Sequence, residues 1–307
     1  LADSLDVRLT NKFVVTCAGD HGIVNEGISL FPQDVTRLMV HNFIDGGASI
    51  NVLAAHAGAQ VRVADLGVNG DFDPTLPIFH KKIRKGTTNF AHEPAMTKDE
   101  SERSVMAGIE IVDELLHEQP VDMLGTGDMG IGNTTPSTAI IAAFSGEPVS
   151  SLVGRGTGVD HTMLAHKTDV IERALQLHRP DPADPLDVLT KVGGFEIGGI
   201  AGVVLGAAIH KIPVVCDGLI STAGALIACE LAPAAKECLF AGHRSVEPGH
   251  EAMHNRLDVV PILDLDMRLG EGTGAALAME VLDAATRVLA DIRTFDEVAI
   301  DDAQPGS

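Results

Sequence analysis

Aromatic residues make up only 3% of the 307 residues, and there is neither Trp nor Tyr. That disfavours recognition of nucleic-acid bases or sugars by stacking. Positive charge is scarce too: 22 Lys and Arg stand against 43 Asp and Glu, a formal net charge of -21. A nucleic-acid binder needs a basic footprint, so phosphate polymers and anionic membranes are poor partners for this surface. A small phosphorylated molecule stays open, because it needs only a local nest of donors. No apolar run reaches the roughly 18 uncharged residues of a membrane span. No signal-peptide pattern follows Leu1, and Leu in place of Met points to a missing natural N-terminus. The four cysteines, Cys17, Cys216, Cys229 and Cys238, show no C-x-x-C spacing. Cys17 and Cys216 lie in apolar, strand-like runs, so buried free thiols in a reducing cytoplasm are expected, not a disulfide scaffold.

What is abundant is apolar residues, 45% of the chain, and glycine, 32 residues. Short β-branched runs alternate with helical patterns. "KFVVTCAGDHG", "AQVRVADLG", "VDMLGTG", "IPVVCDG" and "ECLFAGH" read as strands, and "PVSSLVGRGTG" repeats the step from strand to glycine loop. "PQDVTRLMVHNFIDGGASINVLAAHAG" carries Val35, Leu38, Met39, Phe43, Ile50 and Leu53 at helix spacing. Residues 71–96 read as irregular. "TKDESERSVMAGIEIVDELLHE" opens on a Thr cap with Glu100 three residues on. "DHTMLAHKTDVIERALQLH" and "LISTAGALIACELA" are further helices, and "GFEIGGIAGVVLGAAIH" is a small-residue helix suited to close packing. "VVPILDLDMRLGEGTGAALAMEVLDAATRVLADI" reads as strand, glycine loop and long amphipathic helix. This alternation predicts an α/β fold with a mostly parallel, Rossmann-like sheet and helices on both faces.

The loops are the unusual part. "AGDHG", "DLG", "GTGDMGIGNTT", "GRGTG", "CDG", "AGHRS" and "RLGEGTG" all fall where strand carboxyl ends should be, the side on which open α/β sheets bind ligands. "GTGDMGIGNTTPSTAII" (Gly125–Ile141) fits neither the dinucleotide fingerprint nor the P-loop. It is either a tight turn into a closely packed helix or an anion cradle at a helix N-terminus. Seven such loops favour a phosphate or sugar-phosphate site. Glu271 stands between glycines just before a helix starting near Thr273, whose positive end is expected to lower its pKa and keep it ionised. It is either a helix-capping carboxylate or a base with room beside it for a substrate. Asp128 occupies a similar place in the other glycine-rich loop. Asp20, His21, His243 and His250 offer an alternative, a metal-dependent hydrolase of a small phosphorylated substrate, although each suits local capping at least as well. A nucleotide sensor without turnover is a further alternative.

"AGDHGI", "NFIDGGASINVLAAHAGA", "GTGDMGIGNTTPSTAI", "GRGTG", "DGLISTAGALIA", "AGHRSVEPGH" and "RLGEGTGAALA", running from about Phe13 to Ile300, resemble the nicotinate-nucleotide:dimethylbenzimidazole phosphoribosyltransferase family. The resemblance implies transfer of phosphoribose from nicotinate mononucleotide to 5,6-dimethylbenzimidazole or a related base in cobamide lower-ligand activation. It also implies a homodimer and no organic cofactor. Glu271 would be the general base, with Asp128, where many members carry Glu, as a second catalytic carboxyl. Gly130, Gly132, Gly156, Lys167 and Ser245 would handle the nucleotide, Asn133, Asp217 and Leu269 would also bind substrate, and the stretch carrying Phe31 and Met39 would help enclose the acceptor base. It further implies a large α/β domain over residues 10–270 and a C-terminal helical segment, 271–307. In relatives that segment joins an N-terminal helical part, missing from this chain, to form a small domain.

Overall fold

The computed structural model describes residues 4–154, 156 and 160–298. In chain order these form β1 (Lys12–Gly19), α1 (Asp34–Ile44), α2 (Ser49–His56), β2 (Ala59–Gly67), β3 (Phe79–His80), α3 (Lys98–Glu118), β4 (Met123–Met129), α4 (Thr134–Ser145), α5 (Val149–Leu152), α6 (His161–His178) and α7 (Pro185–Val192). There follow α8 (Phe195–Ile209), β5 (Val214–Cys216), α9 (Leu219–Leu231), β6 (Leu239–Ala241), β7 (His243–Ser245), α10 (Pro248–Leu257), β8 (Leu263–Met267) and α11 (Thr273–Asp291). Arg155, Thr157 and Gly158 of the "GRGTG" loop, and the chain beyond Val298, lie outside the described residues.

The main sheet has the order β3-β2-β1-β4-β5-β6, and each of its pairings is parallel. β1 is buried along its whole length, as a central strand covered on both faces must be. Its side chains alternate: Phe13, Val15 and Cys17 enter the larger core beneath α3, α4, α8 and α9, and Val14 and Ala18 the smaller core beneath α1, α2 and α11. The chain order turns around between β1 and β4, and a crevice at such a switch point is where ligands bind in sheets of this kind.

α3 forms with the Thr97–Glu100 capping box read from the sequence, each partner bonding the other's backbone N–H. α8 is the small-residue helix expected. Gly108 of α3 faces the Gly199 carbonyl, and Gly202 faces the Val105 carbonyl, so the two backbones touch with no room for a Cβ.

Three readings change. The run from Pro32 to Gly58 is two helices, not one, because Gly46 adopts φ +77° and the Asn51 side chain ties Ala48 N–H and Phe43 C=O across the break. Val149–Leu152 is a short helix, not a strand, so the "GRGTG" loop does not follow a strand. β8 leaves the main sheet and pairs in parallel with β7. α7 and α10 are further helices that the sequence pattern did not reveal, as are two short strands, β3 within residues 71–96, read as irregular, and β7 within "AGHRS", read as a loop.

Candidate active site

Much of the glycine in Gly125–Ile141 serves packing. Gly125 and Gly127 lie within β4 itself. A Cβ on Gly125 would stand 2.7 Å from Met279 Cε, and one on Gly127 would enter the Glu271 carbonyl. Bare backbone here lets the start of α11 and the loop before it sit directly on the strand. The tight-packing reading holds for these two positions. Gly130 and Gly132 lie beyond the strand end, Gly130 against the Gly19 carbonyl and His21, and Gly132 at φ +88° against Val24 and Ile28.

Glu271 is held from every side. Its N–H donates to the Asp128 carbonyl at 3.2 Å, and its own carbonyl accepts from Thr16 Oγ1 of β1 at 2.9 Å. Its φ of +65° is one that a residue with a side chain adopts only when its surroundings enforce it. Asp217, after β5, is fully buried beneath this loop. It accepts from Gly272 N–H at 2.9 Å, Gly274 N–H at 2.7 Å and Ala275 N–H at 3.3 Å. These bonds satisfy the first donors of α11. Asp217, expected to line the site, instead fixes its floor.

The helix end that reaches the Glu271 carboxylate belongs to α2. Ile50 N–H donates to Glu271 Oε2 at 3.2 Å, a contact that exists because the α1–α2 run breaks at Gly46. The expectation of a lowered pKa is overturned. Burial raises it, Asp217's charge raises it further, and the single Ile50 bond does not offset them. Glu271 is therefore a carboxylate poised closer to neutrality than an exposed one, as a general base requires.

Asp128 sits under Gly270, whose Cβ position is 3.3 Å from both of its carboxyl oxygens. Asn133 Nδ2 donates to Asp128 Oδ2 at 2.8 Å, while the buried Oδ1 has no hydrogen-bond partner among the described residues. Burial foremost, then the charge of Asp217, pushes its pKa up to about 8, with Glu196 and Glu271 adding to the shift. The pair thus divides into Asp128, carrying a proton at neutral pH, and Glu271, able to lose one.

A second cluster surrounds Lys167 of α6. Its buried Nζ donates to Thr134 Oγ1, the first residue of α4, at 2.7 Å. Burial lowers its pKa to about 8. Gly156, at φ +50°, approaches both groups, its Cβ position lying 3.2 Å from Thr134 Oγ1 and 3.9 Å from Lys167 Nζ. Gly156 N–H donates to Glu247 Oε1 at 2.9 Å. Ser245 lies two residues before Glu247, and its N–H is fixed by His250 Nδ1 at 2.9 Å. Phe31 and Leu269 are exposed, and Met39 is half-buried on α1. α1 is tied to the β4 loop through Thr36 Oγ1, which accepts from Ile131 N–H at 3.1 Å. Thr134 and Glu247 were not singled out from the sequence, though both sit inside quoted motifs, "GNTTP" and "SVEPG".

The four candidate metal ligands do not converge. Asp20 Oδ2 accepts from Asn69 N–H at 2.7 Å, and His21 pairs with Glu196 at 2.7 Å. His243 faces Asp217 at 3.4 Å, and His250 is bonded to Thr222 and Ser245. Among the described residues no three His, Cys, Asp or Glu side chains are placed to hold a metal ion together.

A family model described as phosphoribosyltransferase matches residues 1–300. The nicotinate-nucleotide–dimethylbenzimidazole phosphoribosyltransferase of Geobacter sp. (strain M21) is 56% identical over 300 residues, covering 98% of this chain and 86% of that protein. The chain belongs to this phosphoribosyltransferase family. The protein of the same name from Chloroflexus aggregans is 54% identical, over 95% of this chain and 83% of its own. The crystal structure of CobT from Thermus thermophilus superposes with a TM-score of 0.93 at 45% identity, covering 97% of this chain and 89% of that one. Membership accounts for the long motif matches, and the fold brings Asp128, near the carboxyl end of β4, beside the Glu271 loop, while Lys167 of α6 meets the first residue of α4.

Proposed function

We propose that this family member transfers the 5-phosphoribosyl group of nicotinate mononucleotide to 5,6-dimethylbenzimidazole or a related base, releasing nicotinate and forming α-ribazole 5'-phosphate. The observation that carries the proposal is the buried Glu271 carboxylate, clamped by Ile50 N–H and by its own backbone against β1 and β4, with the buried Asp128 carboxyl in the adjoining strand end.

The chemistry needs one base. The donor's nicotinate is a pyridinium, so when the C1'–N bond breaks its electron pair neutralises the ring nitrogen and no acid is required. One azole nitrogen attacks C1' from the face opposite the leaving group, which inverts a β-linked donor to an α-product. The other azole nitrogen gives up its proton to the Glu271 carboxylate. Asp128, being protonated, adds no second negative charge beside that base and can donate a hydrogen bond. Lys167, Ser245, Gly130, Gly132, Asn133 and Gly156 hold the ribose phosphate end, and Phe31, Met39 and Leu269 enclose the acceptor.

We also infer a homodimer in the cytoplasm. Val281, Val288, Leu289, Ile292 and Phe295 leave an apolar strip exposed along and beyond α11, and the four cysteines are buried free thiols. Light scattering of the purified protein tests the dimer. The function is tested by supplying nicotinate mononucleotide with several azoles, purines and phenols and identifying products by mass. Nucleotide binding without nicotinate release would point to a sensor, and simple hydrolysis of the mononucleotide to a different enzyme.

A further inference from the structure

Glu247 is a buried carboxylate, 6% exposed, at the position preceding α10, yet it does not cap that helix. Its Oε1 instead accepts the Gly156 N–H at 2.9 Å, and its buried Oε2 has no hydrogen-bond partner among the described residues. Gly154 presses on the same carboxylate so closely that a Cβ there would enter Oε2. The glycine whose N–H Glu247 holds turns its Cα towards Thr134 and Lys167. A carboxylate in that place has two opposed effects on a bound phosphate. It repels the anion directly, but it also fixes the glycine wall of the pocket and supports the positive charge of the lysine that meets the anion.

We propose that Glu247 is a positioning residue for the nucleotide phosphate, pinning Gly156 against the Lys167–Thr134 pair. The proposal rests on the reading of Lys167 as the phosphate ligand. The carboxylate's charge bears on the Lys167 ammonium as well, given what surrounds it. Its hydrogen-bond partner, Thr134, is neutral, and α4 and α5, packed against α6, carry no ionisable side chain. On α7, Asp187 and Lys191 pair with each other at 2.7 Å, and on α6 itself Asp169 pairs with Arg173 at 2.9 Å. His250 of α10 is bonded to Thr222 and Ser245. Among the described residues Glu247 is the group whose charge acts on Lys167, opposing the lowering by burial. Pinning outweighs repulsion because the N–H···carboxylate bond is charge-assisted and shielded from water, whereas the ammonium lies on the pocket side to screen the phosphate.

The test compares Glu247→Gln and Glu247→Ala with the wild type, measuring kcat, the KM for nicotinate mononucleotide across neutral to alkaline pH, competition by inorganic phosphate, and thermal melting. Glu247→Ala loses the Gly156 anchor and raises the nucleotide KM by about tenfold or more, as expected for loss of a charged hydrogen bond, with little change in kcat. Glu247→Gln keeps an acceptor for Gly156 and has a near-native KM at mildly acidic pH. It loses nucleotide affinity at a lower pH than the wild type, because Lys167 gives up its proton sooner. If Glu247→Ala does not fold, the pH profile of Glu247→Gln decides. Tighter binding of the nucleotide or of inorganic phosphate in either variant overturns the proposal, since the carboxylate would then be competing with the anion. An unchanged KM over the whole pH range overturns it too. Lys167→Ala is run in parallel: if it leaves the nucleotide KM untouched, the phosphate reading itself fails, independently of how the Glu247 variants behave.

Discussion

Asp128 and Glu271 are joined through the backbone, the Glu271 N–H donating to the Asp128 carbonyl at 3.2 Å, while their carboxyls have different environments. Asp128 meets Asn133 and otherwise faces apolar and acidic surroundings, whereas Glu271 meets the N-terminus of α2. Two acidic residues, one at the end of β4 and one in the loop before α11, are thereby both shifted towards the neutral form, Asp128 to about 8 and Glu271 in the same direction with the Ile50 bond opposing it.

The first expectation concerns the base. Glu271→Gln preserves shape and the bond from Ile50 while removing basicity, so kcat falls about 10²–10⁴-fold. The nucleotide KM changes little. In the wild type the rate falls as pH drops through the raised Glu271 pKa, because the base must be deprotonated, and this acidic limb is absent from the variant's residual rate. Steady-state kinetics over acidic to neutral pH check it; near-native turnover in Glu271→Gln would transfer the role to another group.

Asp128→Asn should cost less than Glu271→Gln, since a neutral amide replaces a carboxyl that is already neutral at pH 7. The stability prediction is sharper. With a folded pKa of about 8 against an ordinary value of 3.8, the Asp128 contribution is fully present below the unfolded value and is lost as pH rises through about 8. Wild-type melting temperature should therefore decline from mildly acidic to alkaline pH more steeply than that of Asp128→Asn. Parallel melting curves would remove the assigned proton.

Lys167→Ala removes a point charge aimed at the monophosphate. The nucleotide KM should rise by about 10–100-fold, the range for a charged hydrogen bond, with the acceptor KM nearly unchanged. Wild-type nucleotide affinity should weaken as pH passes about 8, where the buried ammonium deprotonates. Equal effects on both substrates would count against the assignment.

The acceptor wall proposed above comprises Phe31, Met39 and Leu269, none of which can form a strong directional hydrogen bond. Apolar pockets separate similar ligands weakly. Competition among benzimidazole, methylated benzimidazoles and purines should give several products by mass spectrometry. Turnover of a single benzimidazole and no other base would show that polar groups select the acceptor.

The strands, the long helices and the carboxyl-edge position of the loops were legible because each depends on local periodicity and on glycine punctuation. The α1–α2 break was not read as one, because Val35, Leu38, Met39, Phe43, Ile50 and Leu53 keep helix spacing across it. Glu271 could be found from its flanking glycines, but the sign of its pKa shift could not. That sign is set first by burial, which outweighs the Ile50 bond and is reinforced by Asp217, and this burial comes from elements the sheet topology brings together. Glu247 was invisible for the same reason: its partner Gly156 is distant in sequence.

The Thr16–Glu271 bond and the Gly127 contact join the Glu271 backbone to the two central strands, while α1, which carries Met39, is tied to the loop after β4 through the Thr36 side chain. Amide hydrogens around Glu271 should consequently exchange with solvent only when the whole sheet opens, and those around Phe31 far sooner. For anyone altering this protein, the proposed acceptor wall is then open to local editing, whereas the placement of Glu271 is inseparable from the folding of the domain.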